Sequence, residues 1–298
     1  MTDNKVLKEI IAAKRKNPYT EDKSIKQLRE ETEVSGSKIP LPENTKIEKI
    51  MADGVYAEWI SCGNVNAEKI FMFIHGGGYY RGSIASTRAT VARISEQAGV
   101  RCLSIDYRLA PEHPFPAAID DTYTVYNWIV KQGINPTNII VSGQSAGGGL
   151  CLALLLKIKD DKGDQPLGAV AISPWTDLSQ SGDTMKTNED IDPIISKKYL
   201  DRMAGLYLKG SPFSLPLASP LFGDLLKLAP ILIQVDTSET MLDDSKRFFE
   251  KAKKVNVDIN IEIWKGVFHG WHGNAHILKD AELAIQSIGN FCKKLYFN

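Results

Sequence analysis

Gly143-Gln144-Ser145-Ala146-Gly147 constrains this chain more than any other stretch. It follows a strand-like run, Asn138-Ile139-Ile140-Val141, and opens a helix-like one, Leu150-Cys151-Leu152-Ala153-Leu154-Leu155-Leu156. A serine on such a strand-to-helix turn is held in strained backbone geometry, and small residues two positions to either side let strand and helix approach closely. The hydroxyl is pushed out of the turn and the next backbone N–H faces the same spot. A pattern this short also arises in ordinary turns, so the neighbouring segments have to decide its meaning.

Those segments alternate. Strand-like runs at 46–51, 55–60, 70–74, 100–105, 138–141, 168–172 and 231–235, and a less buried alternating run at 259–264, are interleaved with helical patterns at 87–98, 117–131, 242–254 and 275–295. This alternation predicts an α/β fold with a mostly parallel sheet covered on both faces by helices. Ahead of it, residues 6–33 read as two short helices, with Leu7, Ile10 and Ile11 on one stripe, Ile25 and Leu28 on another, and an Asn17-Pro18 break between them. The segment 179–219 holds no strand and one helical pattern, 196–208, between Pro193 and Gly210-Ser211-Pro212. An insertion of this kind after a strand packs over the strand ends. The N-terminal helices over 1–45 and the insertion at about 179–219 are then expected to form a cap on a larger domain over 46–298, the alternative being that the insertion is a second-layer helix with no role at a site.

With 298 residues, 36 Lys+Arg against 36 Asp+Glu, and a formal net charge of +0, the chain has no basic field for nucleic acid or an anionic membrane. The start, Met1-Thr2-Asp3-Asn4-Lys5, lacks the pattern of a secretory signal, and the apolar run 150–156 is too short to cross a bilayer. Cys62, Cys102, Cys151 and Cys292 are scattered and are expected to be buried free thiols, which suits a cytoplasmic location.

A serine hydroxyl is scarcely ionised at neutral pH, so Ser145 needs a base to take its proton and an acid to orient that base. Downstream histidines are His269, His272 and His276. His269, in Gly266-Val267-Phe268-His269-Gly270, directly follows the last predicted strand, where it reaches the C-terminal rim of the sheet. His272 and His276 have the spacing of a metal pair, but Gly273 stands where a zinc-protease glutamate would be, so they read as an exposed helix face and no metal is expected. For the acid, the loop after strand 231–235 offers Asp236, Glu239, Asp243 and Asp244; the last two suit a helix first turn, and spacing does not separate Asp236 from Glu239. Upstream, strand 70–74 runs into His75-Gly76-Gly77-Gly78-Tyr79, whose glycines free backbone N–H groups to meet a developing oxyanion. No Lys-Ser/Thr follows, as a phosphate-binding loop requires, and His75 is expected to anchor the loop.

His75-Gly76-Gly77-Gly78, the stretch Tyr107-Arg108-Leu109-Ala110-Pro111-Glu112-His113-Pro114, Gly143-Gln144-Ser145-Ala146-Gly147-Gly148, Ser173-Pro174-Trp175-Thr176-Asp177-Leu178 and the acid and histidine loops, in this order, resemble the hormone-sensitive lipase family of bacterial esterases. The resemblance runs from about Ile70 to the C-terminus. It implies an α/β-hydrolase fold with a helical cap and cofactor-free hydrolysis of carboxylic esters. It makes Ser145 the nucleophile, His269 the base, the N–H groups of Gly77, Gly78 and Ala146 the oxyanion hole, and Glu239 the acid. The chain departs from the family pattern in carrying Asp236 where glycine is usual and Met241 where leucine is, which keeps Asp236 as the rival acid. Asp106, Arg108 and Glu112 are expected to form one network supporting the oxyanion loop. Met185, Leu200, Met203, Leu206 and Tyr207 of the insertion supply apolar material either for a pocket or for the core.

The expected activity is hydrolysis of short-chain esters through an acyl-enzyme, because a cap limits access. Lactones and acetylated sugars are alternatives that use the same chemistry. A different class, the gibberellin receptors, shares the fold as binding modules without the catalytic histidine; here Ser145, Glu239 and His269 are all present. By analogy with relatives, the exposed strand 259–264 is expected to pair between subunits in a homodimer.

Overall fold

The computed structural model describes residues 4–16 and 23–297. The start at Met1 to Asp3 and the expected Asn17-Pro18 break lie outside the described residues. Eight strands form one sheet: β1 (Thr45–Ala52), β2 (Val55–Cys62), β3 (Asn66–Ile74), β4 (Val100–Asp106), β5 (Ile139–Gln144), β6 (Gly168–Ile172), β7 (Ile231–Asp236) and β8 (Ile259–Trp264). Their spatial order is β1-β2-β4-β3-β5-β6-β7-β8, with β2 antiparallel to both neighbours and every pair from β4 to β8 parallel.

The buried strands need no alternation because both faces are covered. β6, Gly-Ala-Val-Ala-Ile, is buried at every position, and β5 carries Ile139, Ile140 and Val141 toward opposite layers. On one face, α3 (Ile84–Ala98) and α9 (Lys279–Phe297) pack Val91, Ile94, Ile285 and Ile288 against Phe71, Phe73, Ile140 and Val170. On the other, α4 (Ala117–Lys131), α5 (Ala146–Asp160) and α8 (Leu242–Lys254) close the larger core. The bounds of α3 follow local chemistry. Ser83 and Ser86 form a reciprocal capping box, and Gly99 ends the helix at φ 68°, a left-handed position that favours glycine. α5 is buried at every position from Ala146 to Leu156, and within that run Leu150, Leu152, Leu154 and Leu155 each contribute roughly 1.5–3 kcal/mol through burial.

The strand ends that carry Ser145, Asp236 and the His269 loop all lie at the C-terminal side of the parallel strands. Over that rim lie α1 (Asn4–Lys16), α2 (Ile25–Ser37) and the insertion, which contains the short α6 (Thr184–Thr187) and α7 (Lys197–Leu208). Val6, Leu7 and Ile10, like Ile194 of the insertion, pack on the Phe268 and Trp271 cluster, and the Arg15 guanidinium donates to the Ile191 carbonyl at 3.0 Å, so α1 touches both the insertion and the histidine loop. Among the described residues no helix is long and apolar enough to cross a membrane.

Candidate active site

Ser145 sits between β5 and α5 at φ 58° and ψ −120°, a conformation costing about 1–3 kcal/mol for a residue with a Cβ. Three hydrogen bonds hold it there. Its N–H donates to Ile172 O at 2.8 Å, and its carbonyl accepts from Gly149 N–H and Trp175 N–H, each at 3.0 Å. The glycines of the motif supply clearance: a Cβ on Gly147 would lie 2.2 Å from Ile74 O, and one on Gly143 would lie 2.0 Å from Gly147 O. Strand, turn and helix can meet only with hydrogen at both positions.

Beside this turn lies the glycine loop after β3. The buried His75 anchors it: Nδ1 donates to Gly76 O at 2.8 Å, the ring stacks on Tyr107 with 4.3 Å between centroids, and Tyr107 OH donates to His75 O at 3.1 Å. Burial pushes the His75 pKa down to about 4, so the ring is neutral near pH 7 and holds the loop through hydrogen bonds rather than charge. Among the described residues, the N–H groups of Gly77, Gly78 and Ala146 donate to no protein group. Ala146 is also the first residue of α5, where the helix dipole favours negative charge.

His269 is nearly buried, and its Nδ1 lies 2.7 Å from Glu239 Oε2. A carboxylate only accepts, so Nδ1 carries the proton and Nε2 is the free nitrogen. Glu239 is itself fixed: Oε1 accepts from Ser173 Oγ at 2.7 Å and from Asp236 N–H at 2.8 Å. Asp236 does not touch the imidazole. Its Oδ1 accepts from Ser238 N–H at 2.9 Å and its Oδ2 from Val267 N–H at 3.3 Å, so it ties the acid loop to the histidine loop. Ser145, Gly77, Gly78 and His269 line one cleft of about 600 Å³.

Several supporting residues were not singled out in the sequence. Asn188 Nδ2 donates to Glu239 O at 2.9 Å and to Thr237 O at 3.0 Å, and Asp192 Oδ2 accepts from Thr240 N–H at 2.9 Å. The insertion therefore grips the acid loop as well as covering the rim. No local signal marks Asn188 or Asp192, because their partners lie about fifty residues away in the chain.

Two expectations are corrected. Asp106, Arg108 and Glu112 do not form one network: Asp106 caps Ile84 N–H at 2.7 Å, Arg108 pairs with Asp121 at 2.7 Å, and Glu112 pairs with Arg29 of α2 at 2.7 Å. Two of them still reach the glycine loop separately: Asp106 Oδ1 lies 3.8 Å from His75 Nε2, and Arg29, the partner of Glu112, donates from Nε to Tyr80 O at 2.8 Å. Nor do His272 and His276 share an exposed helix face. His272 is fully buried in a 3₁₀ turn (Trp271–Asn274), its Nε2 2.7 Å from Gln234 Oε1, while His276 is exposed before α9 begins. Among the described residues no cluster of His, Cys, Asp or Glu has the arrangement of a metal site.

Of the insertion residues, Met203 lines the cleft, Met185, Leu200 and Tyr207 are buried in the main core, and Leu206 packs half-buried against it. Cys62, Cys102, Cys151 and Cys292 are all buried and free.

A model of the alpha/beta hydrolase fold family matches residues 71–273. An acetyl-hydrolase of Streptomyces hygroscopicus is 36% identical over 237 residues, covering 80% of this chain and 79% of that protein. An esterase of Acinetobacter venetianus is 35% identical over 258 residues, covering 85% and 84%. Among solved structures, an esterase from the bacterial hormone-sensitive lipase family superposes with a TM-score of 0.96 at 37% identity, over 99% of this chain and 100% of that one. The chain belongs to the α/β-hydrolase fold family and is a carboxylic ester hydrolase of the bacterial hormone-sensitive lipase type.

Proposed function

We propose that Ser145 is the nucleophile, His269 the general base and acid, Glu239 the residue that orients and stabilises the imidazolium, and the N–H groups of Gly77, Gly78 and Ala146 the oxyanion hole, in the hydrolysis of short-chain carboxylic esters. The observation that carries this reading is the 2.7 Å contact between His269 Nδ1 and Glu239 Oε2, which leaves Nε2 unprotonated in the cleft that also holds Ser145.

The steps follow from that tautomer. Nε2 takes the Ser145 proton as Oγ attacks the ester carbonyl, and the carbonyl electron pair moves onto oxygen opposite the three free N–H groups. Collapse breaks the bond to the leaving alcohol, whose oxygen receives the proton from Nε2. Water then repeats the sequence on the acyl-enzyme and releases the acid.

In this reading residues 1–45 and about 179–219 act as a cap over a catalytic domain at 46–298, and the cap limits the length of the acyl chain. The four buried free thiols favour a cytoplasmic location. The outer edge of β8, with Ile263 43% exposed, favours a homodimer by edge pairing, which sedimentation of the wild type against Ile263→Lys tests.

The catalytic assignment is tested by Ser145→Ala and by a fluorophosphonate probe. The variant should lose activity by a factor on the order of 10⁴–10⁶ and resist labelling, whereas wild type should label at Ser145. A wild type that does not label would overturn Ser145 as the nucleophile.

A further inference from the structure

The cleft is chemically divided. Under α7 its wall is apolar, formed by Ile194, Ile195, Tyr199 and Met203. A second arm runs between α2, α3 and the segment after His269, and there the lining is mostly polar, with Thr32, Ser35, Thr87, Thr90, Asn274 and His276 beside Ile39 and Ile277.

The reaction orients an ester in this cleft. His269 must hand its proton to the leaving oxygen, so the alcohol lies in the arm flanked by Gly270, Gly273 and Asn274, the residues that continue from His269. The acyl group then points to the Met203 side, beside the oxyanion loop.

Unused hydrogen-bonding capacity in the polar arm indicates what alcohol fits. Thr90 is only 4% exposed, lines the cleft, and among the described residues its hydroxyl has no hydrogen-bond partner. By contrast, Thr32 Oγ1 donates to Leu28 O at 2.7 Å. Asn274 spends only an amide N–H, on Trp271 O at 3.5 Å, leaving its Oδ1 for a ligand. The nearby cations are engaged with rings: Arg81 lies over Tyr80 and Tyr199, and Lys14 over Phe268. Glu31 is paired with Lys23 at 2.7 Å, and Lys38 is exposed to solvent, which screens its charge. Hydroxyl and amide groups, rather than a field of one sign, therefore define this lining. An apolar alcohol would cover the Thr90 hydroxyl without giving it a partner, whereas a hydroxyl-rich one would satisfy it.

We infer that this arm is a subsite for an uncharged, hydroxyl-rich leaving group, so that the substrates are short acyl esters of polyols or sugar-like alcohols. The inference rests on the roles proposed above for Ser145 and His269.

The test compares glycerol monoacetate with butyl acetate, which share the acetyl group and differ in the polarity of the alcohol. KM for the glycerol ester should be lower by about fivefold or more, from at least one added hydrogen bond. Thr90→Val should raise KM for the glycerol ester relative to that for butyl acetate by about fivefold, and Thr90→Ser, which keeps the hydroxyl, should restore the ratio. Equal KM values in wild type, or a Thr90→Val ratio that does not move, would overturn the subsite. Fluorophosphonate labelling of the same preparation separates the two levels. A labelled enzyme indifferent to the alcohol overturns the subsite alone, and an unlabelled one overturns the Ser145 assignment and the subsite with it.

Discussion

Glu239 and His269 meet at 2.7 Å although they stand on different loops, and the second carboxylate oxygen of Glu239 is held by Ser173 Oγ and Asp236 N–H. The carboxylate is thus aimed before any substrate arrives. Glu239→Gln keeps the shape but offers an amide in place of the charge, so the imidazolium loses its partner and the tautomer is no longer fixed. The expected loss in kcat is on the order of 10³–10⁴, with little change in KM. Asp236→Asn gives the contrast, because Asp236 bonds backbone N–H groups of the same loops and not the ring. It should cost about 1–3 kcal/mol of stability with a much smaller fall in kcat, read from denaturant unfolding and steady-state kinetics on the same two variants.

The glycines of the proposed oxyanion hole should respond unequally to a methyl group. At Gly77, with φ 121°, a Cβ would lie 2.2 Å from the Arg81 carbonyl oxygen, a backbone atom that cannot step aside without moving the loop. At Gly78, with φ 63°, the Cβ would meet the Met203 thioether, the end of a flexible side chain. Gly77→Ala is therefore expected to cost about 10²–10³ in kcat by displacing a donor, and Gly78→Ala distinctly less, its residual cost being about 1 kcal/mol of left-handed strain. Pre-steady-state acylation rates measure this difference.

Met203 itself should set the acyl-chain limit. It is buried, lines the cleft and packs on the glycine loop at Gly78. Met203→Ala opens that wall, at a stability cost of about 2–5 kcal/mol. With p-nitrophenyl esters from acetate to octanoate, the variant should shift its preference toward longer chains. An unchanged chain-length profile in a folded variant would assign the limit to another wall.

What was legible in the sequence was whatever depends on neighbours in the chain. β6, α4, α8 and β8 carry their own patterns, and their bounds match the expectation residue for residue. α3 and α5 begin earlier than their apolar patterns, because Ser83 and the Ser145 turn start them by hydrogen bonding and backbone geometry rather than by burial. The short α6 has too few residues to show periodicity. The choice between Asp236 and Glu239 was open for the same reason: both stand on one loop, and only the loop's fold decides which carboxylate faces the ring. Arg108 with Asp121, and Asn188 with the Glu239 carbonyl, are pairs across the fold, for which a single sequence holds no local signal.

Asp244 should make stability depend on pH in the alkaline direction. In the first turn of α8 it is fully buried, and its Oδ2 accepts from Thr176 N–H and Asp177 N–H, both at 2.8 Å, while Oδ1 has no partner. Burial, and then the neighbouring Asp177 carboxylate, push its pKa up to about 8 from 3.8. Between those values the folded state holds a proton that the unfolded chain has released, so this group's contribution falls as pH rises from about 4 to about 8, by an amount on the order of several kcal/mol. The buried imidazoles act on the acid side. His272, pushed down to about 3, and His75, at about 4, stay neutral in the fold while the unfolded chain protonates near 6.5, so stability is also lost as pH falls below about 6.5. Asp244→Asn isolates the first effect. The asparagine oxygen still accepts both N–H groups, and the variant has no proton to lose, so its Tm should fall less than that of wild type between pH 5 and pH 8. Parallel Tm curves for the two proteins across that range would show that Asp244 stays ionised in the fold.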